Sequence, residues 1–149
     1  MTAAVRFQRA NFVVRDLDRA LEMYRDVLGL TLDFVKVSPA DSYSYPVFEI
    51  DPAHTLRFAV LSAPDQPRVM ALTEVQNPQL PAAPAPRRSA IVLDIADVDG
   101  VVAAARAAGF TVHPEGRLVT HDGREGREVG LVDDDGNLIV IYHITGQAG

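Results

Sequence analysis

The run Asn11-Phe-Val-Val-Arg-Asp-Leu-Asp-Arg-Ala-Leu-Glu-Met-Tyr-Arg-Asp-Val-Leu-Gly-Leu30 holds a strand, a helix start, an amphipathic helix and a helix stop in direct succession. Phe12-Val13-Val14 is a short apolar stretch suited to a strand. Asp16 then stands where a helix opens, able to accept hydrogen bonds from the free N–H groups of the first turn, an interaction that contributes about 1 kcal/mol. Leu17, Ala20, Leu21, Tyr24 and Leu28 follow at helical spacing and predict one buried stripe. Gly29 is a natural stop, since glycine enters the left-handed conformation without steric cost, and Leu30-Thr-Leu-Asp-Phe-Val35 reads as the next strand.

The same grammar recurs in the second half. Leu93-Asp-Ile-Ala-Asp-Val-Asp99 is an apolar run closing in Asp-aliphatic-Asp, with Asp97 as the counterpart of Asp16. Val98, Val101, Val102, Ala105 and Ala108 form its helical stripe, Gly109 its stop, and Phe110-Thr-Val-His113 the following strand. Further strands are expected at Pro46–Ile50, Thr55–Leu61 and Arg68–Val75 in the first half, and at Arg127–Val132 and Leu138–His143 in the second. Each half thus reads as βαβββ, an α+β arrangement. Module one covers about 5–75 and module two about 89–145. Between them, residues 76–88 contain four prolines and no apolar periodicity, which predicts an extended linker. Neither half has an evident means of burying its sheet alone, so residues 1–149 are expected to form a single domain.

Composition narrows the partners. A chain of 149 residues with 48% hydrophobic and 23% charged side chains has the make-up of an ordinary globular protein. Its formal charge of -6 argues against nucleic acid, whose recognition needs clustered Lys and Arg. Cysteine is absent, which rules out disulfides, a thiolate nucleophile and Cys-ligated metal. No apolar run approaches membrane-spanning length and the first residues lack a secretory pattern, so a cytoplasmic protein without a membrane partner is expected.

The Asn11–Leu30 run and the closing run Asp133-Asp-Asp-Gly-Asn-Leu-Ile-Val-Ile-Tyr142 resemble the opening and closing signatures of the vicinal oxygen chelate superfamily, also called the glyoxalase/bleomycin resistance family. The resemblance implies two βαβββ modules forming an incomplete barrel around one cleft, and a homodimer. Its metal-dependent members hold a divalent ion there with His, Glu or Gln from four strands. Their activities range from isomerases, lyases and dioxygenases to antibiotic-binding proteins, so the fold alone does not give the function.

The ligand positions that the resemblance implies are Arg9, Ala71, Ala90 and Val140. None offers a metal donor: arginine stays protonated and repels a cation, and alanine and valine carry no donor atom. Glu74 and His143 each lie three residues beyond an implied position, an odd displacement that predicts the opposite face of the sheet. Glu74 then reads as a solvated strand end and His143 as a surface histidine. Asp133–Asn137 lacks the ligand pattern of a calcium loop and reads as a tight turn, while His54, His113 and His121 are scattered without ligand spacing.

No metal or other cofactor is therefore expected, and a cleft without one must work through shape, apolar contact and a few polar groups. Strand alternation puts Arg9 and Asn11 on one face with Val13, and Val92 on one face with Ala90. Arg9 and Arg57 offer guanidinium donors to an anionic ligand, although the face of Arg57 stays open. Tyr142 shares a face with Leu138 and Val140 and offers a phenol beside an apolar wall. His121 lies on a polar hairpin tip from which it could act as acid or base. Ser38–Pro46, with Tyr43 and Tyr45, reads as either an aromatic flap or a surface crossover. These residues point to a metal-free small-molecule-binding protein, with antibiotic or toxin sequestration as the role the family offers. The alternative is a lyase- or isomerase-type enzyme that is metal-independent or uses an atypical site.

Overall fold

The computed structural model describes residues 4–77 and 79–147. It is a mixed α+β structure that divides into two compact units at Leu80/Pro81, inside the proline-rich segment. In the first unit β1 (Ala10–Val14) leads into α1 (Leu17–Leu21), which runs on as a π-helical turn over Glu22–Val27. There follow β2 (Thr31–Val37), the short α2 (Ser44–Val47), β3 (Leu56–Ala63) and β4 (Gln66–Val75). The second unit contains β5 (Ala90–Asp94), α3 (Val98–Ala107), β6 (Thr111–Val112), β7 (Gly116–Val119), β8 (Arg124–Val132) and β9 (Leu138–Gln147).

The two sheets repeat one plan. Their strand orders are β1-β4-β3-β2 and β5-β9-β8-β6, with β7 also pairing β8, and neither sheet closes on itself. The first strand of each unit runs parallel to its last, and the other pairings are antiparallel. A parallel pair needs a long crossover, and this is what the helix supplies. Asp16 accepts a hydrogen bond from the Arg19 N–H at 3.2 Å and Asp97 one from Gly100 N–H at 2.9 Å, so both expected N-caps form. At the far ends Gly29 and Gly109 take φ of 85° and 83°. Beyond Gly109 the chain closes with Phe110 N–H on the Ala105 carbonyl and Gly109 N–H on that of Arg106, the double bond of a Schellman stop.

Each helix covers one face of its sheet. Leu17, Ala20, Leu21 and Tyr24 are buried as the spacing predicts, and Tyr24 meets Phe12 with ring centroids 6.0 Å apart. The π-helical turn, marked by Leu28 N–H on the Met23 carbonyl at 2.9 Å, also brings Met23 and Val27 into the core. In α3, Val98 and Ala105 are buried, while Val101, Val102 and Ala108 are half-buried.

Three local expectations are corrected. Pro46–Ile50 is not a strand: Ser44–Val47 forms α2, with Pro46 in the first turn, where a missing N–H costs nothing. Tyr45 decides this, since its ring packs on Leu56 and Val75 and its hydroxyl donates to the His54 carbonyl at 2.7 Å. It is therefore a core residue and not part of a flap, whereas Tyr43 is exposed. The strand expected at Phe110–His113 shortens to two residues and is followed by β7, unexpected from sequence. β7 pairs with a charged extension of β8 that opens at Arg124, and Arg117 forms an ion pair with Glu125 across that pairing.

Glu74 is the third correction. It is 3% exposed, not solvated, and lies on the helix-covered face. Its Oε2 accepts from the Leu17 N–H at 2.6 Å, at the start of α1, and Arg57 grips the carboxylate through Nε at 2.6 Å and Nη2 at 3.1 Å. Burial alone would push the Glu74 carboxyl up. Hydrogen bonds from Arg57, Leu17 N–H and Gln76, with the Arg57 charge, outweigh it and hold the group below its usual range.

Two predictions follow from this packing. Glu74→Gln should cost about 2–4 kcal/mol in urea unfolding, since it leaves Arg57 without its countercharge and Leu17 N–H without an anionic acceptor. Because the folded-state pKa is depressed, the carboxylate's contribution is complete above the unfolded value of about 4.3 and is lost as pH falls through the folded one. The wild-type unfolding midpoint should therefore drop in that acid range more steeply than that of the Gln variant. Separately, Gly136 has φ 81° and its missing Cβ would collide with the Ala83 carbonyl oxygen. Gly136→Ala should lower stability by about 1–3 kcal/mol, and an unchanged midpoint would show that the 81–89 segment does not pack there.

Candidate functional site

Strand register assigns every singled-out residue to a face. In the first unit Asn11 is paired with Ala71, and in the second Val92 is paired with Val140. The two pairs occupy the same place in the repeated plan, on the face away from the helix, so the positions implied for metal ligands on the last strands are equivalent. Ala71 is buried and Val140 half-buried. Arg9 precedes β1, is exposed, and donates from Nε to the Arg68 carbonyl at 3.2 Å. Ala90 opens β5 opposite Leu138. Asn11 accepts a hydrogen bond through Oδ1 from the Thr73 hydroxyl at 2.9 Å.

Arg57 and Glu74 face one another across β3 and β4 on the helix side, opposite to Asn11 and Ala71. The guanidinium expected to be available to a ligand is thus engaged by Glu74, with Asp18 3.9 Å away. His143 also lies off the Val140 face, with Nδ1 2.9 Å from Asp94 Oδ1. The odd displacement of Glu74 and His143 from the implied positions therefore separates them from those positions, as alternation requires. Among the described residues, no group of three or more His, Asp or Glu is placed to hold a metal ion. The residues at the implied positions do not fit one either, for want of donor atoms.

A pocket of about 340 Å³ opens on the Val140 face of the second unit. Val92, Leu118, Val140 and Ile144 form its apolar wall, and Thr120, Arg124, Glu128 and Tyr142 supply its polar groups. It brings together two sequence-predicted residues, Val92 and Tyr142, with the implied position Val140. His121 is exposed in the β7–β8 turn and does not line the pocket, although its neighbours Thr120 and Arg124 do. That turn is held by Thr120 N–H on the Arg124 carbonyl at 2.8 Å and Arg124 N–H on the Thr120 hydroxyl at 2.9 Å.

The pocket's charges are unequal in availability. Arg124 Nε lies 3.1 and 3.2 Å from the two Asp122 oxygens. Hydrogen bonds from the Thr120 hydroxyl and from Arg124 hold the Asp122 carboxyl below its usual range. Glu128 stands directly across from Tyr142 in the β8–β9 register, and neither its carboxylate nor the phenol has a hydrogen-bond partner among the described residues. Sequence reasoning missed Glu128, yet a signal existed. The turn Asp133–Asn137 pairs Val132 with Leu138, and counting back by twos puts Glu128 beside Tyr142.

Two units of one βαβββ plan, the second with an open, partly apolar pocket, define the fold class. The chain belongs to the glyoxalase/bleomycin resistance protein/dioxygenase superfamily, whose family model matches residues 6–141. No curated protein sequence matches it. Among solved structures it is similar to a glyoxalase family protein from Bacillus cereus, with a TM-score of 0.74 at 18% identity over 97% of both chains. It is also similar to the trypanothione-dependent glyoxalase I of Leishmania major, with a TM-score of 0.63 at 21% identity over 94% of this chain and 87% of that one. The fosfomycin resistance protein FosX from Mesorhizobium loti gives a TM-score of 0.58 at 17% identity over 97% and 95%. At these identities the likeness is one of fold.

Proposed function

We propose that this chain is a small-molecule-binding protein whose ligand occupies the pocket of the second unit and is held without a divalent metal, with sequestration of an antibiotic or toxin as its role. The observation that carries this reading is the pocket's composition: an apolar wall built from Val92, Leu118, Val140 and Ile144, with a few polar groups at its edge. Such a lining binds by burial and shape and takes its orientation from those polar groups. Val140 supports the metal-free reading, because a valine at the implied ligand position adds wall where a donor would be needed. A cytoplasmic homodimer is the proposed setting.

A second reading, an enzyme of lyase or isomerase type, is favoured by Glu128 beside Tyr142, since a carboxylate and a phenol at one site can exchange a proton with a bound substrate. The two readings part on the fate of the ligand. Recovery of the bound compound unchanged supports sequestration, and turnover abolished by Glu128→Gln supports catalysis.

A thermal-shift screen of drug-sized compounds tests the leading reading. A ligand present at a hundredfold excess over its Kd should add about 2.7 kcal/mol of stability, and Val140→Trp, which fills the pocket from its wall, should abolish that gain. A gain that survives Val140→Trp would put the ligand elsewhere. Stoichiometric Zn, Mn, Ni or Fe retained after soaking and dialysis would overturn the metal-free part.

A further inference from the structure

We infer that the pocket of the second unit selects ligands carrying a protonated amine on an apolar body, with Glu128 as the residue that reads the charge. This rests on the small-molecule reading above and adds the chemical class of the ligand. Two charged side chains line the pocket, Arg124 and Glu128. Their charges are not equally available, because Arg124 is turned to Asp122, with Nε 3.1 Å from Oδ2. Glu128 has no cation of its own among the described residues, although Arg127, its neighbour in sequence, is paired with Asp99 and Glu115. The pocket therefore presents one uncompensated negative charge.

Its surroundings suit an ammonium group. Tyr142 is the direct cross-strand partner of Glu128, so carboxylate and aromatic ring stand side by side on one face. An ammonium placed between them receives a charge-assisted hydrogen bond from the carboxylate and an electrostatic attraction from the ring. The rest of the molecule lies against Val92, Val140 and Leu118. An anionic ligand meets the reverse situation, since Glu128 repels it and the Arg124 charge is already offset by the Asp122 carboxylate on its Nε.

The test uses the full chain and three probes of one shape, phenethylamine, phenethyl alcohol and phenylacetate, titrated while the backbone amide resonances of Glu128, Val140 and Tyr142 are followed by NMR. Phenethylamine should bind saturably and at least about tenfold more tightly than the alcohol, the difference a charged hydrogen bond makes over a neutral one. Glu128→Gln, which keeps the side chain's shape, should erase that preference, while Glu128→Asp should keep part of it. Tyr142→Phe should leave the preference largely in place because the ring is retained. Alcohol or phenylacetate binding as tightly as the amine would overturn the inference and leave the small-molecule reading standing. An amine preference undiminished in Glu128→Gln would overturn the assignment to Glu128. If no probe moves these resonances up to its solubility limit, the inference falls, whereas the small-molecule reading falls only if the broader thermal-shift screen also yields nothing.

Discussion

The parallel pairing of the first strand of each unit with its last, β1 on β4 and β5 on β9, is the constraint from which the rest of the structure follows. Two parallel neighbours cannot be joined by a tight turn, so the chain must cross over, and here the crossover begins with a helix. That helix has to lie on one face of the sheet. The register then allots alternate residues to the face covered by that helix and to the opposite face, and a shift by one residue would exchange them. Asp16 and Asp97 start the crossing and Gly29 and Gly109 end it. The short apolar strands and the capping residues thus specify one geometry between them.

Within that plan the two units solve the helix-covered face differently. Arg57 and Arg127 occupy equivalent places, each reaching the second acidic residue of its helix start, Asp18 at 3.9 Å and Asp99 at 2.5 Å. Opposite them the register sets Glu74 in one unit and His143 in the other. Glu74 binds both the arginine and the backbone at the start of α1, so its burial is compensated by charge and by hydrogen bonds. A carboxylate at a helix N-terminus also lies at the positive end of the helix dipole. In the second unit Arg127 draws on Asp99 and Glu115 instead, and His143 turns to Asp94. Duplication has kept the cation and exchanged its partner.

The sequence made the repeat, the helix caps and the face shared by Leu138, Val140 and Tyr142 legible, because each rests on a local rule: period, cap chemistry, strand alternation. What it concealed depends on contacts distant along the chain. Glu74 looks like a strand end until Arg57 and Leu17 are brought to it. Pro46–Ile50 has strand composition, yet Tyr45 gains more by packing on Leu56 and Val75, and the backbone follows the side chain. β7 is only four residues long and the start of β8, Arg124-Glu-Gly-Arg-Glu128, has no apolar period, so periodicity is silent there. The pocket was half visible. Val92 and Tyr142 could be placed by alternation, whereas Glu128 required following the register around the Asp133–Asn137 turn.

This division of faces separates what helix packing fixes from what it leaves open. The helix-covered faces carry most of what the fold needs: Phe12, Val14, Leu72 and Leu61 in one unit, and Ile139, Ile141, Val129 and Leu131 in the other. Ala71 and Val140 point the other way, so their identity is free of helix packing. A donor atom at those positions would have to be justified by a ligand, whereas a methyl or isopropyl group contributes wall area. In the second unit the polar side chains that the register sets on the face of that apolar wall are Glu128 and Tyr142. The repeated register therefore fixes which residues of β8 and β9 share the Val140 face, and helix packing places no demand on their chemistry.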